Sequence, residues 1–259
     1  MVVAGFDPSG GAGITADIKT VAAHGLYGTS AITALTVQTT QGVSRWEPVS
    51  PETVQATLEA LIEDSPPAAV KIGMLGSGKA ARCVAEVLRA GRLRNVILDP
   101  VIRSTLGAEL IDSEGLDILR SELVPLADVI TPNLAEAALL AGIEVRDLPS
   151  MEESARRLRQ RGARSVVITG GHLPEPVDLL AEGSRHGALE FRRFPGSRVD
   201  TGNTHGTGCA FSTALACNLA LGKSLPDAVA AAKEYVTKAL RTSYSVGKGP
   251  GPINHLFEL

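Results

Sequence analysis

The heptapeptide Asn203-Thr204-His205-Gly206-Thr207-Gly208-Cys209 runs straight into the apolar stretch Ala210-Phe211-Ser212-Thr213-Ala214-Leu215-Ala216. Two glycines flanking a threonine let the backbone approach a ligand closely. The helix that follows aims its first free N–H groups, and the positive end of its dipole, into that turn. Such a turn binds an anion, phosphate being the usual one. Cys209 stands where the same field favours a thiolate. An anion hole made by Gly206, Thr207 and Gly208 and an ionisable side chain thus fall within four residues. That arrangement suits phosphoryl transfer.

Transfer assisted by Mg²⁺ needs oxygen ligands near the phosphates. Asp99, after Val96-Ile97-Leu98, and Glu136, in Thr131-Pro132-Asn133-Leu134-Ala135-Glu136, offer them. Each has a plainer reading: Asp99 as a turn residue, Glu136 as the third residue of a capping box begun by Asn133. Two other glycine-rich loops compete for the phosphate. Gly11-Ala12-Gly13-Ile14-Thr15-Ala16 fits a dinucleotide turn, but the next strand ends in Val37-Gln38-Thr39-Thr40, with no acid to hold a ribose. A small-ligand loop or a tight strand–helix turn remains. Gly73-Met74-Leu75-Gly76-Ser77-Gly78-Lys79-Ala80 follows the P-loop pattern as far as Lys79, then puts Ala80 where a hydroxyl must meet the metal. Gly170-Gly171-His172 forms a further glycine turn. His172 and His205 read as ordinary loop histidines, and His24, His186 and His255 lack metal-ligand spacing.

The elements that must position these groups alternate along the chain. Apolar runs predict strands over residues 2–6, 29–37, 69–72, 95–99, 128–130 and 165–169, with a less regular β pair over 177–180 and 188–194. Helical periodicity covers 11–24, 51–64, 77–90, 112–123, 133–141, 151–161, 208–221 and 226–242. Such alternation predicts a mainly parallel sheet covered on both faces, in one domain spanning residues 1–259. The 259 residues are 44% hydrophobic and 20% charged, enough for a substantial core. A net charge of −3 gives no nucleic-acid footprint, and no apolar run reaches membrane-span length. The arginines at 156, 157, 159 and 161 read as a solvated helix face. Three cysteines without metal spacing fit a reducing cytoplasm, with Cys83 and Cys217 as core packing. The tail Gly247-Lys248-Gly249-Pro250-Gly251-Pro252 is a loop, placed near a ligand or merely terminal.

The ordered set of motifs resembles the hydroxymethylpyrimidine/phosphomethylpyrimidine kinases of thiamine biosynthesis, within the ribokinase-like superfamily. It comprises Asp7-Pro8-Ser9-Gly10-Gly11-Ala12-Gly13, Ala31-Ile32-Thr33-Ala34-Leu35, Lys71-Ile72-Gly73-Met74 and Leu98-Asp99-Pro100-Val101. It continues through residues 131–136, 170–172 and 203–209 to Val246-Gly247-Lys248-Gly249. The resemblance implies a three-layer α/β/α sandwich and phosphorylation of 4-amino-5-hydroxymethyl-2-methylpyrimidine, then of its monophosphate. It implies ATP and Mg²⁺, leaves room for a monovalent cation, and suggests a homodimer with no nucleic-acid or membrane partner. By analogy Gly206, Thr207, Gly208 and Cys209 form the catalytic turn, with Cys209 taking the hydroxyl proton. Asp99 and Glu136 match metal positions. Gln38, Asp7, Gly11, Met74 and Val101 match the pyrimidine pocket, and Thr169, Asn203, Thr204 and Lys233 the ATP side. The chain departs from the family pattern in three places. Thr169 replaces a lysine, Arg103-Ser104-Thr105-Leu106-Gly107 lacks a lysine, and Thr39 replaces an asparagine. Rival readings are a pyridoxine-type vitamin kinase, a catalytically weak pyrimidine-binding protein, and an enzyme using Cys209 as a covalent nucleophile.

Overall fold

The computed structural model describes all residues except 92, 105, 184–187, 258 and 259. Thr105 and His186, both singled out above, lie outside the described residues. The strands are β1 (Val2–Phe6), β2 (Ser30–Thr39), β3 (Gly42–Pro48), β4 (Val70–Ile72), β5 (Val96–Leu98), β6 (Val129–Ile130), β7 (Val166–Ile168), β8 (Val177–Glu182) and β9 (Glu190–Pro195). They make one sheet in the order β3-β2-β1-β4-β5-β6-β7-β8-β9. From β2 to β7 all neighbours are parallel. β3 joins β2, β8 joins β7 and β9 joins β8 antiparallel.

Because side chains alternate across a strand, each central strand feeds two cores. Val70, Ile72, Val96, Leu98, Ile130, Val166 and Ile168 enter one cluster. Helices α2 (Pro51–Asp64), α3 (Gly78–Ala90), α6 (Leu134–Ala141) and α7 (Leu148–Gln160) cover that face. Ala69, Ile97, Val129 and Val167 enter the opposite cluster, beneath α8 (Thr207–Ala220) and α9 (Leu225–Arg241). Helix α1 (Gly13–Ala23) packs beside α8 on the same side. The chain leaves β1 through α1 to reach β2 on one side, while β4 lies on the other. The crevice at such a switch point is where open α/β sheets bind ligands.

Differences from the sequence reading have local causes. Strand β3 was not expected: exposed Arg45 and Glu47 flank half-buried Trp46, the charged pattern of edge strands that resist further pairing. β2 runs on to Thr39, which carries Gln38 to the sheet's edge. The helix expected over 112–123 is α4 (Ser113–Ile118), a π-helical turn (Leu119–Leu123) and α5 (Val124–Leu126) in succession, with Pro125 in the last piece. α7 starts at Leu148, three residues earlier than expected, because Asp147 and Ser150 form a capping box around Pro149. Cys83 and Cys217 are buried in apolar clusters, as expected. The α7 arginines lie on a charged face, Arg156 and Arg157 pairing with Glu152 and Glu153. No described helix is long and apolar enough to cross a membrane.

Candidate active site

Helices α2, α3, α4, α6, α7 and α9 begin on Ser50, Ser77, Asp112, Asn133, Asp147 and Ser224, whose side chains accept a first-turn amide. Helices α1 and α8 have no side-chain cap. An uncapped N-terminus keeps its free N–H groups and dipole available to an anion. The two converge: the Gly13 amide that opens α1 donates to the sulfur of Cys209 in the first turn of α8. Gly206, at φ +86°, is the hinge between them, and a Cβ there would lie 1.8 Å from the Gly11 carbonyl oxygen. The turn at Ser77–Ala80 is closed to a phosphate by comparison. Ser77 Oγ takes the Ala80 amide, Asp112 Oδ1 takes the Gly78 amide, and Lys79 points into solvent.

Beneath the α8 turn lies a buried charge cluster. Lys71 Nζ, from β4, sits 2.9 Å from Asp17 Oδ2 and 3.8 Å from Asp99 Oδ2. Thr213 Oγ1 donates to Asp17 Oδ1 at 2.7 Å, and Ser212 Oγ lies 3.0 Å from Asp99 Oδ2. Burial acts to lower the Lys71 ammonium, but Asp17, Cys209 and Asp99 outweigh it and hold it above its usual range. Burial pushes the Asp99 carboxyl up despite Lys71 and Ser212. Glu136 is pushed to about 8 by burial and then by the nearby Asp99 charge. The capping-box reading of Glu136 holds: Oε2 accepts the Asn133 amide at 2.9 Å, and the same carboxylate feels the Asp99 charge. Desolvation raises both buried carboxyls, with Asp99 adding to the rise at Glu136 and Asp17 to that at Asp99, so a bound dication would favour their charged forms. Mg²⁺ commonly takes one or two carboxylates and completes its shell with water and phosphate oxygens, so the pair fits it. No group of three or more His, Cys, Asp or Glu suited to a metal occurs among the described residues.

The expectation of a Cys209 thiolate is overturned. Burial, with Asp99 and Asp17 adding negative charge, pushes the thiol up to about 12, against the downward pull of Lys71 and the Gly13 amide. At neutral pH the unliganded protein therefore holds a thiol.

Beside this cluster opens a cleft lined by Gln38, Thr40, Val43, Ser104, His205 and Pro250. Met74 and Val101 meet in an adjoining apolar group with Ala34, Val43, Trp46 and Leu110. Asp7 serves its own loop: its oxygens accept the Ser9 and Ala12 amides at 2.8 and 2.9 Å, and His205 Nε2 lies 2.9 Å from Oδ2. Burial opposes ionisation of Asp7, but His205, Ser9 and Ala12 hold it below its usual range. His205 also reaches to within 3.3 Å of the Gln38 amide nitrogen and packs over Gly11, where a Cβ would meet its ring at 2.3 Å. The tail lies against the cleft. Thr40 Oγ1 accepts the Lys248 and Gly249 amides, and His205 bridges to Pro252.

The residues implied for ATP are not among those that line the cleft. Thr169 follows β7 and bridges to Asn133. Asn203 packs against Gly251, and Thr204 is exposed. Lys233 Nζ sits 2.7 Å from Asp178 Oδ2, whose other oxygen accepts the Gly170 amide, so Lys233 steadies the Gly170–His172 turn through Asp178. Arg103 is exposed and pairs with Glu109. Lys71 and Asp17 were missed as functional groups. The usable signal was a lysine inside the otherwise apolar β4.

Among known proteins, the phosphomethylpyrimidine kinase profile matches residues 7–254. The chain belongs to the phosphomethylpyrimidine kinase family. It is 44% identical to the hydroxymethylpyrimidine/phosphomethylpyrimidine kinase of Haemophilus influenzae over 262 residues, 98% of this chain and 95% of that protein. It is 45% identical to a bifunctional thiamine biosynthesis protein of Geobacter sulfurreducens over 99% of this chain, and spans 52% of that longer protein. The phosphomethylpyrimidine kinase structure of Clostridium difficile 630 superposes with a TM-score of 0.81 at 37% identity, covering 92% of this chain and 97% of that one. An ADP complex of Bacillus subtilis pyridoxal kinase superposes with a TM-score of 0.88 at 35% identity, covering 98% and 95%. The expected ribokinase-like fold and the resemblance to hydroxymethylpyrimidine/phosphomethylpyrimidine kinases are borne out, while pyridoxal kinase is a related family.

Proposed function

We propose that the chain transfers the γ-phosphoryl group of ATP to the hydroxymethyl oxygen of 4-amino-5-hydroxymethyl-2-methylpyrimidine, and then phosphorylates the monophosphate to the diphosphate. The observation that carries this reading is the uncapped start of α8, whose Ser212 reaches Asp99 and whose preceding His205 lines the Gln38 cleft. The α8 amides at Gly206–Cys209 bind the oxygens of the migrating group, where donors fixed in advance stabilise developing charge. Gln38 offers a donor and an acceptor to the aminopyrimidine edge, and Met74 and Val101 pack against the ring. Asp7 and Gly11 hold His205 and hence the cleft wall. Asp99 and Glu136 would hold Mg²⁺, which neutralises phosphate charge when bound.

Loose phosphoryl-transfer transition states demand little of a base early on, so positioning dominates. The acceptor's proton leaves late, to an oxygen of the transferred phosphoryl group, so Cys209 remains a thiol throughout. Thr169, Asn203 and Thr204 border the nucleotide, and Lys233 supports that border through Asp178. A monovalent cation is compatible with this reading. Leu35 and Val37, exposed side by side on one face of β2, favour a homodimer through that face, and three free cysteines fit the cytoplasm.

The likeness to pyridoxal kinases supports one second reading, phosphorylation of a pyridine alcohol. Incubation with ATP, Mg²⁺ and each alcohol, with products weighed by mass spectrometry, separates the two. The proposal expects mono- and diphosphate from the pyrimidine at higher kcat/KM. Preference for pyridoxal, or no phosphorylated pyrimidine, refutes it.

A further inference from the structure

Central strands buried on both faces read as near-continuous apolar runs. Lys71 breaks that rule in β4, and its side chain is 1% exposed. Its partner Asp17, on α1, is 0% exposed. Replacing a buried ion pair by apolar residues is often neutral or stabilising, so folding alone does not explain this one. The pair sits directly beneath the α8 turn, and its surroundings are shaped for it. At Gly73 a Cβ would stand 2.7 Å from Lys71 Nζ, so only glycine leaves the ammonium in place.

The Asp99 carboxylate lies next to this ammonium. Backbone bonds from the Asp99 amide to Ile72 and from Val101 to Asp99 fix the end of β5, but not the carboxylate torsions. Ser212 Oγ lies 3.0 Å from Asp99 Oδ2, yet it lies equally close to the carbonyls of Gly208 and Cys209, at 3.1 and 3.0 Å. One hydroxyl proton cannot serve three acceptors. Lys71 Nζ, 3.8 Å from the same Oδ2, is a further anchor beside the Cys209 thiol, and it is held by Asp17 Oδ2 at 2.9 Å. Asp17 in turn is held by Thr213 Oγ1 at 2.7 Å. The chain Thr213–Asp17–Lys71–Asp99 thus ties α8, α1, β4 and the end of β5 together without touching solvent.

We propose that Lys71, gripped by Asp17, is a positioning residue that fixes the Asp99 carboxylate in the orientation that holds the divalent cation of the nucleotide. This rests on the assignment of Asp99 to the cation. Groups that orient metal ligands typically contribute about 10–100-fold to metal affinity or activity.

The double variant Lys71→Met/Asp17→Asn removes both charges, leaving no lone ion in the core. Mn²⁺ binding in the presence of ADP is read by electron paramagnetic resonance, beside Tm, kcat and the KM for the pyrimidine alcohol. The proposal expects Mn²⁺ affinity and kcat to fall by about 10–100-fold, with pyrimidine KM within about twofold of wild type. A folded double variant with wild-type Mn²⁺ affinity overturns it. Thr213→Val, which keeps every charge and removes the donor to Asp17, serves if the double variant does not fold. It is expected to weaken Mn²⁺ while lowering Tm only modestly, and unchanged affinity there also overturns the proposal. Asp99→Asn separates the two claims. If it too leaves Mn²⁺ affinity intact, the cation assignment falls with the inference; if it alone weakens Mn²⁺, only the role of Lys71 falls.

Discussion

The closest approach in the site is between Gly206 and the Gly11 carbonyl, and replacing Gly206 by alanine tests what that approach does. The added Cβ would start 1.8 Å from the oxygen, and real Cβ contacts stay beyond 3.0 Å, so the loops must part by about 1.2 Å. The residue also sits at φ +86°, where a side chain costs about 1–2 kcal/mol. Overpacking adds about 1–3 kcal/mol. A combined loss near 3 kcal/mol lowers Tm by about 6–12 °C in a chain of this size. Catalysis suffers more, because a misplacement of about 1 Å can cost about 10²-fold. Gly208→Ala provides the contrast in stability: nothing lies within 4 Å of its Cβ position, and alanine favours the helix. Thermal melts and steady-state turnover with ATP and the pyrimidine read both effects. A Gly206→Ala enzyme that melts with wild type and keeps its turnover would refute the argument that this contact shapes the anion hole.

Gln38→Leu removes the polar edge of the cleft and is expected to raise the pyrimidine KM by about tenfold, as loss of one or two hydrogen bonds does, while the KM for ATP holds. Equal changes in both constants contradict the assignment. In the unliganded protein, iodoacetamide labelling of Cys209 should climb steadily from pH 7 to 9 without levelling, because the thiol titrates near 12. A plateau near neutrality contradicts this. Glu136, at about 8 when folded against an ordinary 4.5, keeps its proton in the native state after the unfolded chain has lost it. Its contribution to stability is therefore full below pH 4.5 and is lost as pH rises towards 8. Melts without metal should show that decline, and Glu136→Gln should flatten it. A variant with an undiminished decline places the titration elsewhere.

The anion turn, the strand ends and the helix starts were legible because they depend on local chemistry. Gly206 precedes its helix by one residue, and Asn133 and Glu136 are three apart. Lys71 and Asp17 lie 54 residues apart and meet only because α1 packs on the face of β4 that Lys71 enters. That separation hid their pairing. The same distance effect misled the reading of Cys209: the helix field is local, whereas Asp17 and Asp99, which help to raise the thiol, arrive from elsewhere in the chain. β3 escaped notice because its charged, half-exposed pattern is what an edge strand needs. His205 read as an ordinary loop residue and proved to pin Asp7, Gly11 and the tail around the cleft.

The central claim is that the uncapped start of α8 grips the phosphoryl group beside Asp99 and Glu136. A crystal structure with a non-hydrolysable ATP analogue, Mg²⁺ and the pyrimidine alcohol tests it most directly. The account predicts the terminal phosphate on the amides of Gly206–Cys209, with the hydroxymethyl oxygen facing it from the Gln38 cleft. Terminal phosphates lodged over residues 73–80, with the α8 turn empty, would contradict it.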